Sequence, residues 1–266
     1  MIPNVIHFCF GLREDYGKMP FSFMHYLSVR TAYECNKPDE MMLYYKYEPK
    51  GEWWEKSRRY LTLEKIEPPT RIFGNPLCHF AHQLDVFRID LLLKYGGIFL
   101  DMDVICLKSF RPLLKYEYVM GWEGDSGLCT AVLLSSPNSE FLKILREKYK
   151  NFRSKGQDEF WNENAVIWPK VVADQRPDLI HTVNKYAFFW PLSCSPHKIW
   201  GRHPKNTLDR VLNHFKDQFD YMILKRSFCI HLWESLWWDK YLKSLSPNYL
   251  QSKNNNFTRL FRKYIS

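Results

Sequence analysis

The sequence lacks a C-x-x-C pair, an internal repeat, and any apolar run near the roughly 20 residues that cross a membrane. Its seven cysteines are scattered and odd in number, which argues against a disulfide framework and against a zinc knuckle. The first residues have the pattern of a strand rather than of a secretory signal peptide. We therefore expect a cytoplasmic protein in a reducing compartment.

Composition favours one α/β domain with anionic partners. The chain has 266 residues, of which 45% are hydrophobic, enough for a substantial core. A net charge of +9 favours nucleotide diphosphates, acidic lipids or nucleic acid as partners. The 10 Trp and 16 Tyr exceed what packing usually needs, and aromatic faces stack on sugars and bases. Two alternatives stay open, a Trp-rich core and a basic surface without such a partner.

Strand and helix patterns alternate along the first half. Strands are predicted over residues 5–10, 41–47, 70–73, 98–100, 118–121, 130–134, 221–224 and 227–230. Helices are predicted over residues 21–35, 52–63, 77–95, 140–152 and 164–173. This alternation predicts a mostly parallel sheet, which binds ligands beyond the carboxyl ends of its strands.

The chain is divided into a single domain over residues 1–250 and a basic amphipathic tail over residues 251–266. In the tail, apolar side chains alternate with basic ones at helical spacing: Phe257, Leu260, Phe261 and Tyr264 against Arg259, Arg262 and Lys263. We expect such a helix either to lie peripherally on an anionic membrane surface or to dock on the domain.

The most informative segment begins with the helix pattern at His82 and ends at Asp103. Two glycines and a short apolar strand follow the helix, and then come Asp101 and Asp103. In an extended segment both carboxylates would face one side. Oxygen ligands suit Mg²⁺ or Mn²⁺, which also take phosphate oxygens. A D-x-D pair alone occurs by chance in surface loops, but beside a buried strand an unpaired pair would be costly.

Asp85 and Arg88 are three residues apart and so share one helix face. One interpretation is an ordinary surface ion pair. The other is a polar pair that faces a cleft, where Asp85 accepts from sugar hydroxyls and Arg88 donates to them or to phosphate.

These residues form a composite motif that resembles the DxD sugar-binding glycosyltransferases, family 32, which includes Och1-like and α1,4-glycosyltransferase-like members and is related to glucosylating bacterial toxins. The motif reads Ile2-Pro-x-x-Ile6-His7, then Asp85-x-x-Arg88-x-x-x-Leu92-x-x-Tyr95-Gly96-Gly97-x-x-Leu100-Asp101-x-Asp103. The resemblance implies a GT-A fold: a Rossmann-like, mostly parallel central sheet with helices on both faces and an irregular, aromatic-rich C-terminal part. It also implies transfer with retention of anomeric configuration.

The resemblance also assigns roles. Asp103 would be the direct metal ligand, Asp101 would contact metal or donor, and Asp85 and Arg88 would hold the transferred sugar. The catalytic set implied is Asp85, Arg88 and Asp101. His7 and Phe8 would lie along the nucleotide, with Gly97 in the same donor site.

Two further segments complete the predicted site. His231 is expected to complete the metal coordination, and Trp233 and Ser235 to close over the diphosphate. The alternative for His231 is a hydrogen-bonded core histidine. Trp122, Glu123 and Asp125, where the chain departs from the commoner family pattern, are expected to face the acceptor.

The leading hypothesis is a retaining glycosyltransferase that uses Mn²⁺ or Mg²⁺ and a nucleotide-diphosphate sugar, UDP favoured over GDP. Its acceptor would be a glycan or lipid-linked glycan of a surface polysaccharide, capsule or lipo-oligosaccharide. The alternative is a basic nucleic-acid-binding protein or Mg-dependent nuclease. The chain has no recognition motif for nucleic acid, so none is expected as a partner. A third hypothesis is a sugar-binding relative without catalysis. Donor and acceptor choice would depend on residues 120–130 and 190–205.

Overall fold

The computed structural model describes residues 1–201, 204 and 206–265. Its strands are β1 Val5–Cys9, β2 Glu40–Tyr45, β3 Thr62–Lys65, β4 Arg71–Ile72, β5 Asn75–Pro76, β6 Gly97–Leu100, β7 Val104–Cys106, β8 Tyr118–Glu123, β9 Gly127–Ser135, β10 His181–Val183 and β11 Cys229–His231. Its α-helices are α1 Phe23–Asn36, α2 Glu52–Arg58, α3 Phe80–Tyr95, α4 Glu140–Glu147, α5 Trp168–Gln175, α6 Lys185–Phe188, α7 His197–Trp200, α8 Thr207–Arg226, α9 Glu234–Trp237, α10 Pro247–Ser252 and α11 Asn256–Phe261. Short 3₁₀ and π turns connect several of them.

A seven-stranded sheet with the order β10-β8-β9-β6-β1-β2-β3 forms the centre of the molecule. Strand β1 is parallel to β2 and β6, β2 is parallel to β3, and β8 is parallel to β10. Only β9 runs against its neighbours β6 and β8 among these strands. The predicted mostly parallel α/β sheet is therefore confirmed.

Strand β6 is buried on both faces, which explains its apolar sequence. Ile98 and Leu100 point into one apolar cluster, where Val29 of α1 also packs. Phe99 points to the other face, against Ile89 and Leu92 of α3. Helices thus cover both faces, and the carboxyl end of β6 opens directly onto Asp101.

A second, two-stranded sheet pairs β7 with β11 in antiparallel register, so that His231 lies opposite Val104. These strands are far apart in sequence. Their pairing brings the C-terminal His231 beside the turn that holds Asp103.

Two predicted elements were wrong. The helix over residues 52–63 ends at Arg58, because Thr62 and Leu63 pair with Met42 and Leu43 of β2 and extend the sheet. Residues 221–224 lie inside α8 rather than in a strand, since a short apolar run fits either conformation. The neighbouring strand predicted over residues 227–230 is present as Cys229–His231.

The predicted tail docks on the domain. Phe257, Phe261 and Tyr264 are buried in an apolar cluster with Phe23 and Leu27 of α1. These apolar side chains therefore face the protein and not a membrane, while Ser266 lies outside the described residues. Within the described ranges, every helix is too short or too polar to span a bilayer.

Candidate active site

The acidic pair lies in a tight turn between β6 and β7. The Val104 N–H donates to the Asp101 carbonyl (3.0 Å), and the Asp101 N–H donates to the Ala131 carbonyl of β9 (2.9 Å). The expected extended conformation is therefore wrong, because this turn reverses the chain after β6. The turn still directs both carboxylates to one place.

Asp101, Asp103 and His231 form a compact group whose potential ligand atoms lie within 4.8 Å of one another. The His231 Nε2 is 3.2 Å from Asp103 Oδ2. Two carboxylates and an imidazole are a donor set that fits Mn²⁺ or Mg²⁺ with room for phosphate oxygens. The three residues predicted to hold a metal therefore come together. The burial of His231 and its pairing with Asp103 also fit the alternative of a hydrogen-bonded core histidine.

Burial and mutual attraction set the charges of this group. Burial would raise the pKa of Asp103, but the facing His231 imidazole and the Glu234 N–H bring it below its usual value. Burial would likewise lower the pKa of His231, and the Asp103 carboxylate instead raises it. Burial raises the pKa of Asp101 to about 6 despite Arg88. A cation bound here would favour the ionised form of both carboxylates and the neutral form of His231.

Arg88 links the acidic turn to helix α3. Its Nη2 is 3.0 Å from Asp101 Oδ1 and 3.6 Å from Asp85 Oδ1, and its Nη1 donates to the Thr130 carbonyl at 2.5 Å. The Thr130 hydroxyl donates to Asp85 at 3.3 Å. Asp85 and Arg88 are both buried, so the interpretation as a surface ion pair is wrong.

A chain of polar side chains supports Asp85 from behind. His82 Nδ1 is 3.8 Å from Asp85, and its Nε2 is 2.9 Å from the Ser154 hydroxyl, which donates to Asp158 at 2.8 Å. The Trp161 ring lies 4.8 Å from the His82 ring. Sequence analysis missed this support, although His82 precedes Asp85 by one helical turn.

The segment after β11 packs against His231 and Asp103. Trp233 adopts a left-handed conformation with φ +56°, and its ring centroid lies 4.1 Å from that of His231. The Glu234 N–H donates to Asp103 Oδ2 at 2.8 Å, and Glu234 Oε1 is 3.0 Å from His25 Nε2. Trp233 therefore lies beside His231, and its contact with a diphosphate stays a prediction. Ser235 is exposed at the start of α9, and the sequence analysis missed Glu234 and His25.

The predicted nucleotide contacts of β1 are not at this site. His7 Nε2 lies 3.0 Å from the Gly96 carbonyl, and Phe8 is fully buried in the core. Gly97 packs so closely that a Cβ would lie 2.7 Å from His7 Nε2 and from the Val5 carbonyl. His7 and Gly97 thus meet at the amino-terminal end of β6, whereas Asp101 follows its carboxyl end. The alternation of side chains along β1 explains this, because His7 and Phe8 face opposite sides of a covered sheet.

Phe10 directly follows β1 and lies at the strand end where His7 and Phe8 were expected. It is half-buried, and its ring stacks 5.6 Å from that of Tyr16. It also packs edge-on against His25, the partner of Glu234, at 4.9 Å. Phe10 was not predicted as a site residue, because it was assigned to the strand over residues 5–10 and the strand ends at Cys9.

The predicted acceptor residues lie in the β8–β9 hairpin. Burial raises the pKa of half-buried Glu123, and the charge of His231 acts on it in the opposite direction. Trp122 packs against the core, and Asp125 is exposed in the hairpin turn. Among these three residues, Glu123 is therefore the one whose pKa is influenced by His231.

The other segment expected to select substrates, residues 190–205, borders the same site. Pro191, Leu192 and Ile199 line a small pocket with His231 and Trp233, and the Trp233 indole donates to the Pro191 carbonyl at 3.3 Å. Residues 202, 203 and 205 of this segment lie outside the described residues.

Comparison with known proteins gives three findings. Residues 36–120 match the family described as a glycosyltransferase sugar-binding region containing a DXD motif. Glucan organizing enzyme 1 of Cryptococcus neoformans var. grubii is 32% identical to this chain over 280 positions. The match covers the whole of this chain and 71% of that protein. Inositol phosphoceramide mannosyltransferase 3 of Schizosaccharomyces pombe is 40% identical to this chain over 58 residues. That match covers 22% of this chain and 16% of the mannosyltransferase.

The fold has a counterpart among solved structures. Mouse xyloside xylosyltransferase 1 superposes with a TM-score of 0.50 at 10% identity, over 89% of this chain and 99% of that one. At this identity the likeness concerns the fold alone.

Proposed function

Because the chain belongs to the family of glycosyltransferases whose sugar-binding region contains a DXD motif, we propose that Asp101, Asp103 and His231 hold Mn²⁺ or Mg²⁺ for transfer from a nucleotide-diphosphate sugar. The observation that carries this proposal is the convergence of these three side chains from two distant segments. When bound, the cation would neutralise charge on the departing diphosphate.

The chain's own residues would divide the remaining work. Arg88 and Asp85 would orient the transferred sugar, because the Thr130 hydroxyl donates to Asp85 and the Thr130 carbonyl accepts from Arg88. Trp233 would cover the donor and exclude water, which limits wasteful hydrolysis.

We propose transfer with retention. Asp85 and Asp101 are both engaged by Arg88, which makes either carboxylate a poor nucleophile. An oxygen of the departing diphosphate would then take the acceptor proton. Nuclear magnetic resonance of the product should show the anomeric configuration of the donor, and an inverted product would direct attention to Glu123 as a base.

We propose a glycan or a glycolipid as acceptor. One relative is named for glucan and another, matched over a short region, is named for an inositol phosphoceramide. A role in building a cell-surface glycan fits this pair and the basic charge of the chain.

The test is nucleotide release from a panel of UDP- and GDP-sugars with Mn²⁺. We expect one donor to be turned over, UDP-linked rather than GDP-linked, and activity to fall at least about 100-fold in Asp103→Asn or with chelator. Asp239→Asn is the matched control, because Asp239 is exposed and pairs with Lys243. An Asp103→Asn variant as active as the wild type, or no donor bound or turned over, would contradict the proposal.

A further inference from the structure

Helix α8 presents an apolar stripe to solvent. The exposed side chains recur at the spacing of one helix face and are 45% to 67% exposed: Leu208, Val211, Leu212, Phe215, Phe219 and Met222. A helix of a globular protein usually turns such a stripe toward the core.

The opposite, mixed face of α8 is the one that packs on the protein. Asp220 and Leu224 are buried there. Arg259 of α11 lies 3.7 Å above the Tyr221 ring and donates to Gln218 at 3.0 Å, and Asn256 donates to the Asp217 carbonyl at 3.0 Å. These contacts fix the rotation of α8, so its apolar stripe faces outward.

Charge on α8 follows this division in part, because exposed Arg210 lies on the side away from the stripe. The acidic residues Asp209, Asp217 and Asp220 lie on the packed face, half-buried or buried. Lys216, Lys225 and Arg226 are exposed along the two edges and at the end of the stripe. An apolar surface with basic edges is the pattern of helices that lie in the interface of an anionic membrane.

An open groove of about 880 Å³ continues the stripe on one side. Phe215, Phe219 and Ile223 form one wall, and Trp190 and Lys198 form the other. The buried Trp190 indole N–H has no hydrogen-bond partner among the described residues, and Lys198 Nζ lies 3.6 Å above the Trp190 ring. The groove therefore combines apolar walls with three basic side chains, Lys198, Lys216 and Arg226, and one acid, the buried Asp220. This excess of positive charge suits a lipid with an anionic headgroup.

We propose that the outward face of α8 and this groove dock on a bilayer containing anionic phospholipid. The segment that carries Trp190 and Lys198 also holds Trp233, whose indole donates to the Pro191 carbonyl. The proposed membrane surface and the metal ligands thus lie on two sides of one segment. A lipid-linked acceptor in the bilayer would be close to the donor site, although docking itself does not depend on the proposed activity.

A second copy of the chain fits this face less well. A two-fold interface places the same patch of each copy together. Both copies would then bring the basic side chains of Lys216, Lys225 and Arg226 into one interface, and like charges repel. An anionic surface satisfies the apolar stripe and the basic edges together.

The test is sedimentation with phosphatidylcholine vesicles, with and without phosphatidylserine, at low and high salt. We expect binding only to vesicles with phosphatidylserine, weakened by salt and reduced at least about tenfold in Phe215→Glu/Phe219→Glu and in Lys216→Glu/Lys225→Glu. Phe73→Glu removes an exposed aromatic residue outside α8 and should bind as the wild type does. Thermal unfolding and nucleotide release from a soluble donor should stay unchanged, because the replaced side chains are exposed and outside the active site.

Three outcomes would overturn the proposal. The first is no binding of wild type to phosphatidylserine vesicles. The second is equal binding by the Phe215→Glu/Phe219→Glu variant. The third is a wild-type dimer in light scattering that the same variant dissociates, which would identify the face as an interface between copies. Vesicle binding that persists in a catalytically inactive Asp103→Asn variant would separate docking from the proposed activity.

Discussion

Arg88 is the side chain that joins the sugar side of the site to the metal side. It contacts Asp85, Asp101 and the Thr130 carbonyl at once. We expect Arg88→Lys to lower kcat at least about 100-fold, because a lysine cannot reproduce the planar fork of a guanidinium. Arg146→Lys is the control, since Arg146 makes a comparable pair with Asp90 at the surface. Activity of Arg88→Lys within about tenfold of wild type would contradict this role.

His7 should make stability depend on pH. Burial lowers the pKa of His7 from 6.5 to about 4, so the folded protein keeps it neutral while the unfolded chain binds a proton between these values. The free energy of unfolding should therefore rise with pH across this window, by roughly 3 kcal/mol in total.

Denaturant unfolding from pH 4 to pH 7 measures this contribution. His7→Gln keeps an amide that can donate to the Gly96 carbonyl but does not titrate. We expect the free energy of unfolding of this variant to rise less with pH than that of the wild type. An unchanged slope would show that other groups cause it.

At the residue level, sequence reasoning found the acids with His231 and Arg88, and missed the residues that hold this group in place. Asp101, Asp103 and His231 come together because a motif fixes residue types at the end of a strand. His7, Phe8 and Gly97 were misplaced, since a resemblance does not tell which way a buried side chain points. Sequence distance hid the contacts of Thr130 and His25, which depend on tertiary packing.

Among the elements, the double-glycine turn before β6 determines where the acids emerge. Gly97 has φ +108°, and a Cβ there would lie 2.7 Å from the Val5 carbonyl. Gly51 has a similar φ of +106° with open space around it. We expect Gly51→Ala to lower the free energy of unfolding through backbone strain alone. Gly97→Ala should lower it by roughly 2 kcal/mol more, because the added Cβ also clashes with the backbone.

Chemical denaturation of the two variants measures this difference. Gly97→Ala should also lower activity, because β6 would shift the acidic turn at its far end. Equal losses in the two variants would mean that the close packing at Gly97 contributes little.

Long elements with a clear period were predictable from sequence, and short edge elements were not. Helix α3 and strand β6 follow from apolar spacing and from the glycines between them. The first two residues of strand β3, Thr62 and Leu63, were predicted as the end of a charged helix, and their conformation comes from pairing with β2. The apolar run 221–224 fits either a strand or a helix. It is helical because it lies within the long helix α8.

The whole molecule is arranged around the seven-stranded sheet, and two C-terminal segments complete it. Residues 251–265 complete the core beside α1, and β11 brings His231 to the acidic turn. The pattern of α8 shows which residues share a face, but not which face is buried. That direction comes from Arg259 and Asn256, which no local pattern in the sequence connects to α8.

The most direct test of the central claim is a titration of the protein with Mn²⁺ in the presence of UDP, followed by electron paramagnetic resonance. We predict one tightly held Mn²⁺ per chain, lost in Asp103→Asn and weakened in His231→Ala, with Asp239→Asn unchanged. Retention of the same Mn²⁺ by Asp103→Asn would contradict the assignment of Asp101, Asp103 and His231 as the metal centre.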